Sequence, residues 1–221
     1  REVLINGITK FNNDKKNPVK FNEITEDSFV ILFLGKLEKY KGCNDFVSSV
    51  LKLIDKGYKD ITALVIGSGS QKKILLERVK LEGKESSFIF ISNLPHDEVV
   101  NAHLRSDIYV SLNKLGNLSN SNLEAMSLGS CIVMPEPNYD NGVDVITKNF
   151  IGLKSTLYIP REASEDYLAS SLEGLYLDSE KRKLFSHNIM KIASEFIPTW
   201  DERITCEIEI LKKISHEEEQ K

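Results

Sequence analysis

SLNKLGNLSNSNLEAMSLG, Ser111 to Gly129, changes character twice: it continues a β-rich run, Ile108 to Leu112, crosses a loop of Asn, Ser and Gly, and ends in a short helix that Gly129 stops. Strand, polar loop, helix is half of a repeating α/β unit. The helix start leaves backbone N–H groups unpaired at the positive end of a helix dipole, which makes the junction a natural seat for a phosphate or diphosphate.

The same alternation extends outward in both directions. Upstream, Phe29 to Leu34 (FVILFL) is a continuous apolar run of the kind buried on both faces of a parallel sheet. A loop, Gly35 to Gly42, leads to a helix with Phe46, Val47, Val50, Leu51 and Ile54 on one stripe, ended by Gly57. Ile61 to Ile66 is a second strand, Gly67-Ser68-Gly69-Ser70 a tight turn, and Gln71 to Leu81 a helix; Phe88 to Ile91 is a strand and Asp97 to Arg105 a helix. Downstream, Cys131 to Met134 is a short strand closed by Pro135. From Ala163 the chain reads as helices over 165–176, 179–196 and 199–214, with Pro198 dividing the last two and Thr199 with Glu202 forming a capping box. The expected fold is α/β: a Rossmann-like parallel sheet with helices on both faces and right-handed crossovers, followed by C-terminal helices. Ligands of such sheets bind at the carboxyl ends of the strands.

Composition narrows the function classes. The chain has 221 residues, 41% of them hydrophobic, with a formal net charge of −4, so no global basic field argues for nucleic acid. Three widely spaced cysteines, Cys43, Cys131 and Cys206, fit buried thiols in a reducing compartment better than a disulfide framework or a zinc site. No run approaches the roughly 20 apolar residues of a membrane helix, and no signal-peptide core opens the sequence, so a cytoplasmic protein is expected. The four histidines lack metal-ligand spacing, and no Walker loop, G-x-S-x-G elbow or HExxH helix is present.

Three strand-end loops carry candidate groups. Gly35-Lys36-Leu37-Glu38-Lys39-Tyr40-Lys41-Gly42 brackets three lysines with two glycines, which suits a phosphate, although lysine is also ordinary in surface loops. Gly67-Ser68-Gly69-Ser70 lets a ligand approach the backbone, or simply serves its own turn; the dinucleotide fingerprint fails because position 72 is Lys72. Glu124 either accepts hydrogen bonds from a sugar's vicinal hydroxyls or closes a capping box, Ser121-x-x-Glu124, in the first turn of its helix.

Together these pieces resemble the donor-binding half of retaining, nucleotide-sugar-dependent glycosyltransferases of the GT-B fold, the large family of bacterial polysaccharide and lipopolysaccharide enzymes. The resemblance is carried by Leu4-Ile5-Asn6-Gly7-Ile8 with Phe11, Phe33-Leu34-Gly35-Lys36-Leu37 with Lys41-Gly42, Leu64 to Gly69, Ile89 to Leu94, and Leu123-Glu124-Ala125-Met126 with Gly129. It implies the C-terminal half of a GT-B architecture: residues 1–20 as the remnant of an acceptor domain and hinge, 21–196 as the donor-binding domain, and 197–221 as a crossover helix and tail. It puts Lys36 and Lys41 on the donor diphosphate, with Lys36 replacing the usual arginine. Glu124 takes the ribose hydroxyls, Gly35, Gly67, Asn93 and Leu94 line the donor, and the amides of Asn117, Leu118, Ser119 and Asn120 face the diphosphate. The family's first acid, eight residues before Glu124, is Gly116 here, so no catalytic acid is assigned.

The reaction so implied is sugar transfer from a UDP- or GDP-type donor to a glycan or lipid-linked acceptor. It needs no metal or other cofactor and no nucleic acid, and the full enzyme could associate peripherally with the inner face of a membrane. Without an acceptor domain the chain is expected to transfer nothing alone, and the segment around Trp200 to keep an orphaned apolar face. Gly116 also motivates an alternative, a non-catalytic nucleotide-sugar-binding module of the same fold; a dehydrogenase domain is disfavoured by the incomplete glycine fingerprint.

Overall fold

Six strands, β1 (Phe29–Leu34), β2 (Ile61–Ile66), β3 (Phe88–Ile91), β4 (Ile108–Val110), β5 (Ile132–Pro135) and β6 (Leu157–Ile159), lie parallel in the order β3-β2-β1-β4-β5-β6. This is the doubly wound order with its reversal between β1 and β4. The structure is a computed structural model that describes residues 5–9, 21, 23–140, 144, 147 and 151–219. The helices are α1 (Cys43–Asp55), α2 (Lys72–Leu81), α3 (His96–Arg105), α4 (Asn120–Ser127), α5 (Glu165–Leu177), α6 (Ser179–Phe196) and α7 (Trp200–Glu219).

Alternation along β1 divides the core in two. Phe29, Ile31 and Phe33 pack with Phe46 and Val50 of α1, Leu75 of α2 and Leu172 of α5 on one face; Val30 and Leu32 pack with Leu123 and Met126 of α4 and Ile189 of α6 on the other. Both faces of the strand are therefore dry, as its unbroken apolar run requires. Each such side chain removed from water contributes roughly 1.5–3 kcal/mol before entropy is charged against it.

The sequence expectations fail locally at β4, at β6 and at the end of α7, which runs to Glu219, past the expected end at 214. β4 ends at Val110 rather than Leu112, although the Ser111 N–H still donates to the Val133 carbonyl at 2.9 Å. β6 was not expected, because Leu157-Tyr158-Ile159 is too short an apolar run to register as a strand; pairing with β5 creates it. The Thr199–Glu202 capping box forms as read, with Thr199 Oγ1 accepting from the Glu202 N–H at 3.2 Å and Glu202 Oε2 from the Thr199 N–H at 2.7 Å.

Much of the 1–20 segment lies outside the described residues. Ile8, inside them, pairs with Thr199, and its N–H donates to the Pro198 carbonyl at 3.0 Å. A Cβ at Gly7 would stand 2.7 Å from Trp200 Cα, so only glycine permits this approach to the start of α7. Trp200, Ile204, Ile208, Leu211 and Ile214 follow helical spacing along α7 and are all at least 43% exposed, an open apolar stripe as expected. Cys43 and Cys131 are buried, and burial pushes their thiols up to about 11 and about 12; Cys206 is exposed on α7, against the expectation of three buried thiols.

His103 of α3 is buried edge-on to the Tyr109 ring, with Nδ1 3.1 Å from Ser130 Oγ and Nε2 unpartnered among the described residues. Burial pushes its pKa down to about 4. In the unfolded chain the imidazole takes its proton at about 6.5, so the unfolded state holds more protons between those values. Stability is then fully present above about pH 6.5 and is lost as pH falls toward 4, by roughly 3 kcal/mol at most. His103→Phe keeps the ring packing and removes the titration. Urea unfolding at pH 7, 6 and 5 is expected to show a flatter pH dependence in the variant; parallel profiles would rule His103 out as the source.

Candidate functional site

At the reversal between β1 and β4 the two following loops diverge and leave a cleft of about 370 Å³. Its lining includes Gly35, Lys36, Tyr40 and Lys41 from the β1 side, and Tyr109, Ser111, Asn113, Ser119 and Ser121 from the β4 side. Of the residues expected at the site from sequence, Gly35, Lys36, Lys41 and Ser119 meet in this lining. Gly67, Asn93, Leu94, Asn117, Leu118, Asn120 and Glu124, also expected there, are not among the residues that line it.

The β1 loop is shaped by its neighbour. Gly67, at φ +146°, lies so close that a Cβ there would be 1.9 Å from the Gly35 carbonyl oxygen, and one at Gly69 would be 2.5 Å from the Leu37 carbonyl oxygen. Glu38 completes the junction, accepting from the Ser70 N–H at 2.9 Å and from Ser70 Oγ at 2.6 Å, bonds that hold its carboxyl below the usual range. The glycines of the Gly67–Ser70 turn thus face the β1 loop rather than the cleft. Gly42, at φ +73°, ends the loop and opens α1.

This leaves Lys36 and Lys41 facing the same space. Partial burial first, and then the charge of Lys36, lowers the Lys41 pKa, and among the described residues neither lysine makes an ion pair. Glu38, the acid of this loop, is turned onto Ser70, so the two neighbouring ammonium groups form a local positive field that an anion would relieve.

Across the cleft, Ser119 caps α4, its side chain accepting from the Asn122 N–H at 3.4 Å. That corrects two expectations. The helix starts two residues earlier than a Ser121–Glu124 capping box requires, and Glu124 lies beyond the first turn. Glu124 is therefore not tying down a helix start. It shares a helix face with Ser121, three residues before it, and its Oε1 is 3.9 Å from His96 Nδ1 at the start of α3. Burial raises the Glu124 pKa, and His96 acts in the opposite direction.

The amides expected to face an anion divide unequally. The Asn117 N–H is occupied by Asp144 Oδ1 at 2.8 Å, and the Asn117 side chain, buried, donates to the Pro135 carbonyl at 2.9 Å. Among the described residues nothing accepts from the N–H groups of Leu118, Ser119, Asn120 or Ser121. The Asn120 side chain accepts from Asn6 Nδ2 at 2.9 Å. Leu118 and Leu94 pack against the α4-side core, and Asn93 is exposed. Gly116 sits at φ +142°, a region L side chains rarely adopt, and its carbonyl accepts from Asn113 Nδ2 at 2.8 Å. An acid placed at 116 would strain the backbone by about 1–3 kcal/mol.

Sequence reasoning missed Tyr109, Asp144, the Glu38–Ser70 junction and the His96–Glu124 approach. Each joins segments far apart in the chain, and no local spacing announces it. Among the described residues no group of three His, Cys, Asp or Glu could hold a metal ion, and no helix is long and apolar enough to cross a membrane.

Comparison with known proteins bears on the family and the fold. An uncharacterized glycosyltransferase, MJ1069 of Methanocaldococcus jannaschii, is 26% identical over 199 residues, covering 88% of this chain and 47% of its own length. The chain spans about half the length of the curated relatives it matches along most of its length, 47% in each case. The solved C-terminal domain of the group 1 family protein LpcC from Francisella tularensis superimposes with a TM-score of 0.65 at 23% identity, over 76% of this chain and 85% of that one. HepE of Anabaena, solved in complex with UDP, gives a TM-score of 0.68 at 16% identity over 86% of this chain and 49% of its own. At those identities the structures establish the fold, and they are GT-B glycosyltransferase structures. The family described as glycosyl transferases group 1 matches residues 14–191, most of the chain, and the chain belongs to that family.

Proposed function

We propose that this chain is the donor-binding domain of a retaining glycosyltransferase that moves a sugar from a UDP- or GDP-type nucleotide-sugar to a glycan or lipid-linked acceptor. The observation that carries the reading is the pair Lys36 and Lys41, unpaired by any acid among the described residues and set across the switch-point cleft from the free amides that open α4. A diphosphate fits that charge. Glu124, further along the Ser121 face, suits the ribose, whose vicinal hydroxyls donate to a carboxylate. HepE, of the same fold, binds UDP at its own site.

In transfer, the bond between the anomeric carbon and the donor phosphate breaks, and negative charge grows on the leaving diphosphate. Fixed ammonium groups and helix-start amides stabilise that charge more in the transition state than in the ground state. Each such donor is worth about 3 kcal/mol. The reaction routes no step through a metal. The acceptor is held by a partner domain, and this chain alone binds donor without transferring it. The non-catalytic module remains the second reading, favoured by the glycine backbone at Gly116, where the family carries an acid.

Thermal melts with UDP, GDP and NAD test the reading, since a ligand that binds only the folded state raises its apparent stability. One of the two diphosphates, present at about 100 times its Kd, is expected to add about 2.7 kcal/mol, with no shift from NAD. A shift from NAD alone would replace the proposal with a dehydrogenase domain.

A further inference from the structure

Asp144 is 1% exposed, and among the described residues no cation pairs with it. Its charge is met by backbone instead. Oδ1 accepts from the Asn117 N–H and Oδ2 from the Asn138 N–H, both at 2.8 Å, while its own N–H donates to the Asn138 carbonyl at 2.7 Å. One carboxylate thus ties the loop after β4 to the segment after β5, both at the carboxyl end of the sheet.

The tie continues toward the cleft. The Asn117 carbonyl accepts from Asn122 Nδ2 at 2.8 Å, and Asn122 Oδ1 accepts from the Tyr109 hydroxyl at 3.0 Å; Asn122 is fully buried and Tyr109 lines the cleft. These bonds link Asp144, Asn117, Asn122 and Tyr109 in one network, and such a network holds one arrangement of backbone far better than apolar packing does. What it fixes is the peptide at Asn117, directly before the four residues whose N–H groups find no acceptor among the described residues. Burying a carboxylate is expensive, and a helix capped by Ser119 does not need one. The aim of those N–H groups does.

We infer that Asp144 is a positioning residue for the diphosphate: it holds the Asn117 peptide so that the amides from Leu118 to Ser121 face the cleft. This rests on the donor-binding reading above. Asp144 is buried with both carboxylate oxygens taken by backbone N–H groups, so it acts through the loop it orders.

The test compares Asp144→Asn with the unsubstituted chain by calorimetric titration, using UDP and GDP, inorganic pyrophosphate, and uridine and guanosine, below the melting temperature of both proteins. Asparagine keeps one acceptor and loses the other. The diphosphate and pyrophosphate are expected to bind about 10-fold more weakly, the effect of losing one hydrogen bond to a charged group, with nucleoside affinity unchanged. A purely structural role would weaken nucleoside and diphosphate alike, or neither, and either result overturns the inference. If the substituted chain does not fold, Tyr109→Phe loosens the far end of the same network; a loss of about threefold for diphosphate alone supports it, and equal affinity overturns it. Failure of the unsubstituted chain to bind any diphosphate would instead sink the donor-binding reading itself, and the positioning role with it.

Discussion

The double substitution Lys36→Ala, Lys41→Ala is expected to lower nucleoside-diphosphate affinity by about 1,000-fold while leaving the unliganded protein at least as stable. The first part follows from two charge-assisted contacts of roughly 1.5–3 kcal/mol each. The second follows from Lys41 itself. Partial burial and the neighbouring Lys36 charge already disfavour its protonated form, and among the described residues neither lysine is in an ion pair whose loss would cost stability. Affinity and melting temperature should therefore move independently. A parallel loss of both would mean the lysines hold the loop together, and retention of diphosphate affinity within about threefold would remove the anion site altogether. Lys36→Arg is the informative companion, because a planar guanidinium can hold a phosphate by two parallel hydrogen bonds where an ammonium cannot.

The second large effect is expected at Glu124. Its folded-state pKa is raised, chiefly by burial, so at neutral pH the ionised carboxylate works against the folded state. The contribution is favourable below the unfolded pKa and is lost as pH rises through the raised folded value. Glu124→Gln should accordingly melt higher than the parent at pH 7 in the absence of ligand, with the difference closing as pH falls toward 4.5. The same variant should bind UDP or GDP about 10- to 100-fold more weakly, since a carboxylate accepting from hydroxyls is worth more than an amide in that place. A variant that melts lower and binds as tightly would show Glu124 to be a structural residue.

How much of this was legible beforehand depended on the range of the interaction. The strands FVILFL and ITALVI and the helix around Phe46 could be read because burial on both faces, or on one stripe, is written in consecutive residues. Strand β6 could not, because three residues carry no period and its pairing with β5 is made by distant chain. At the site, Lys36 and Lys41 were visible as cations between glycines, and the structure brings them into one cleft. Glu124 was visible as a carboxylate with two possible roles, and the position of the Ser119 cap removes the helix-start one. Asn117 was read as a ligand-facing amide, yet Asp144 occupies it from 27 residues away, a contact with no local signature.

The interlock of Gly67 with Gly35 also sets the terms on which this cleft could be re-tooled in the laboratory. With Gly67 against the Gly35 carbonyl, Gly69 against the Leu37 carbonyl and Ser70 held by Glu38, the two loops form a chassis that tolerates no side chain at position 67 or 69. A combinatorial library aimed at binding a chosen ligand in the cleft would waste its diversity there. It belongs at Tyr40 and Ser121, which line the same space from opposite walls and leave that joint intact.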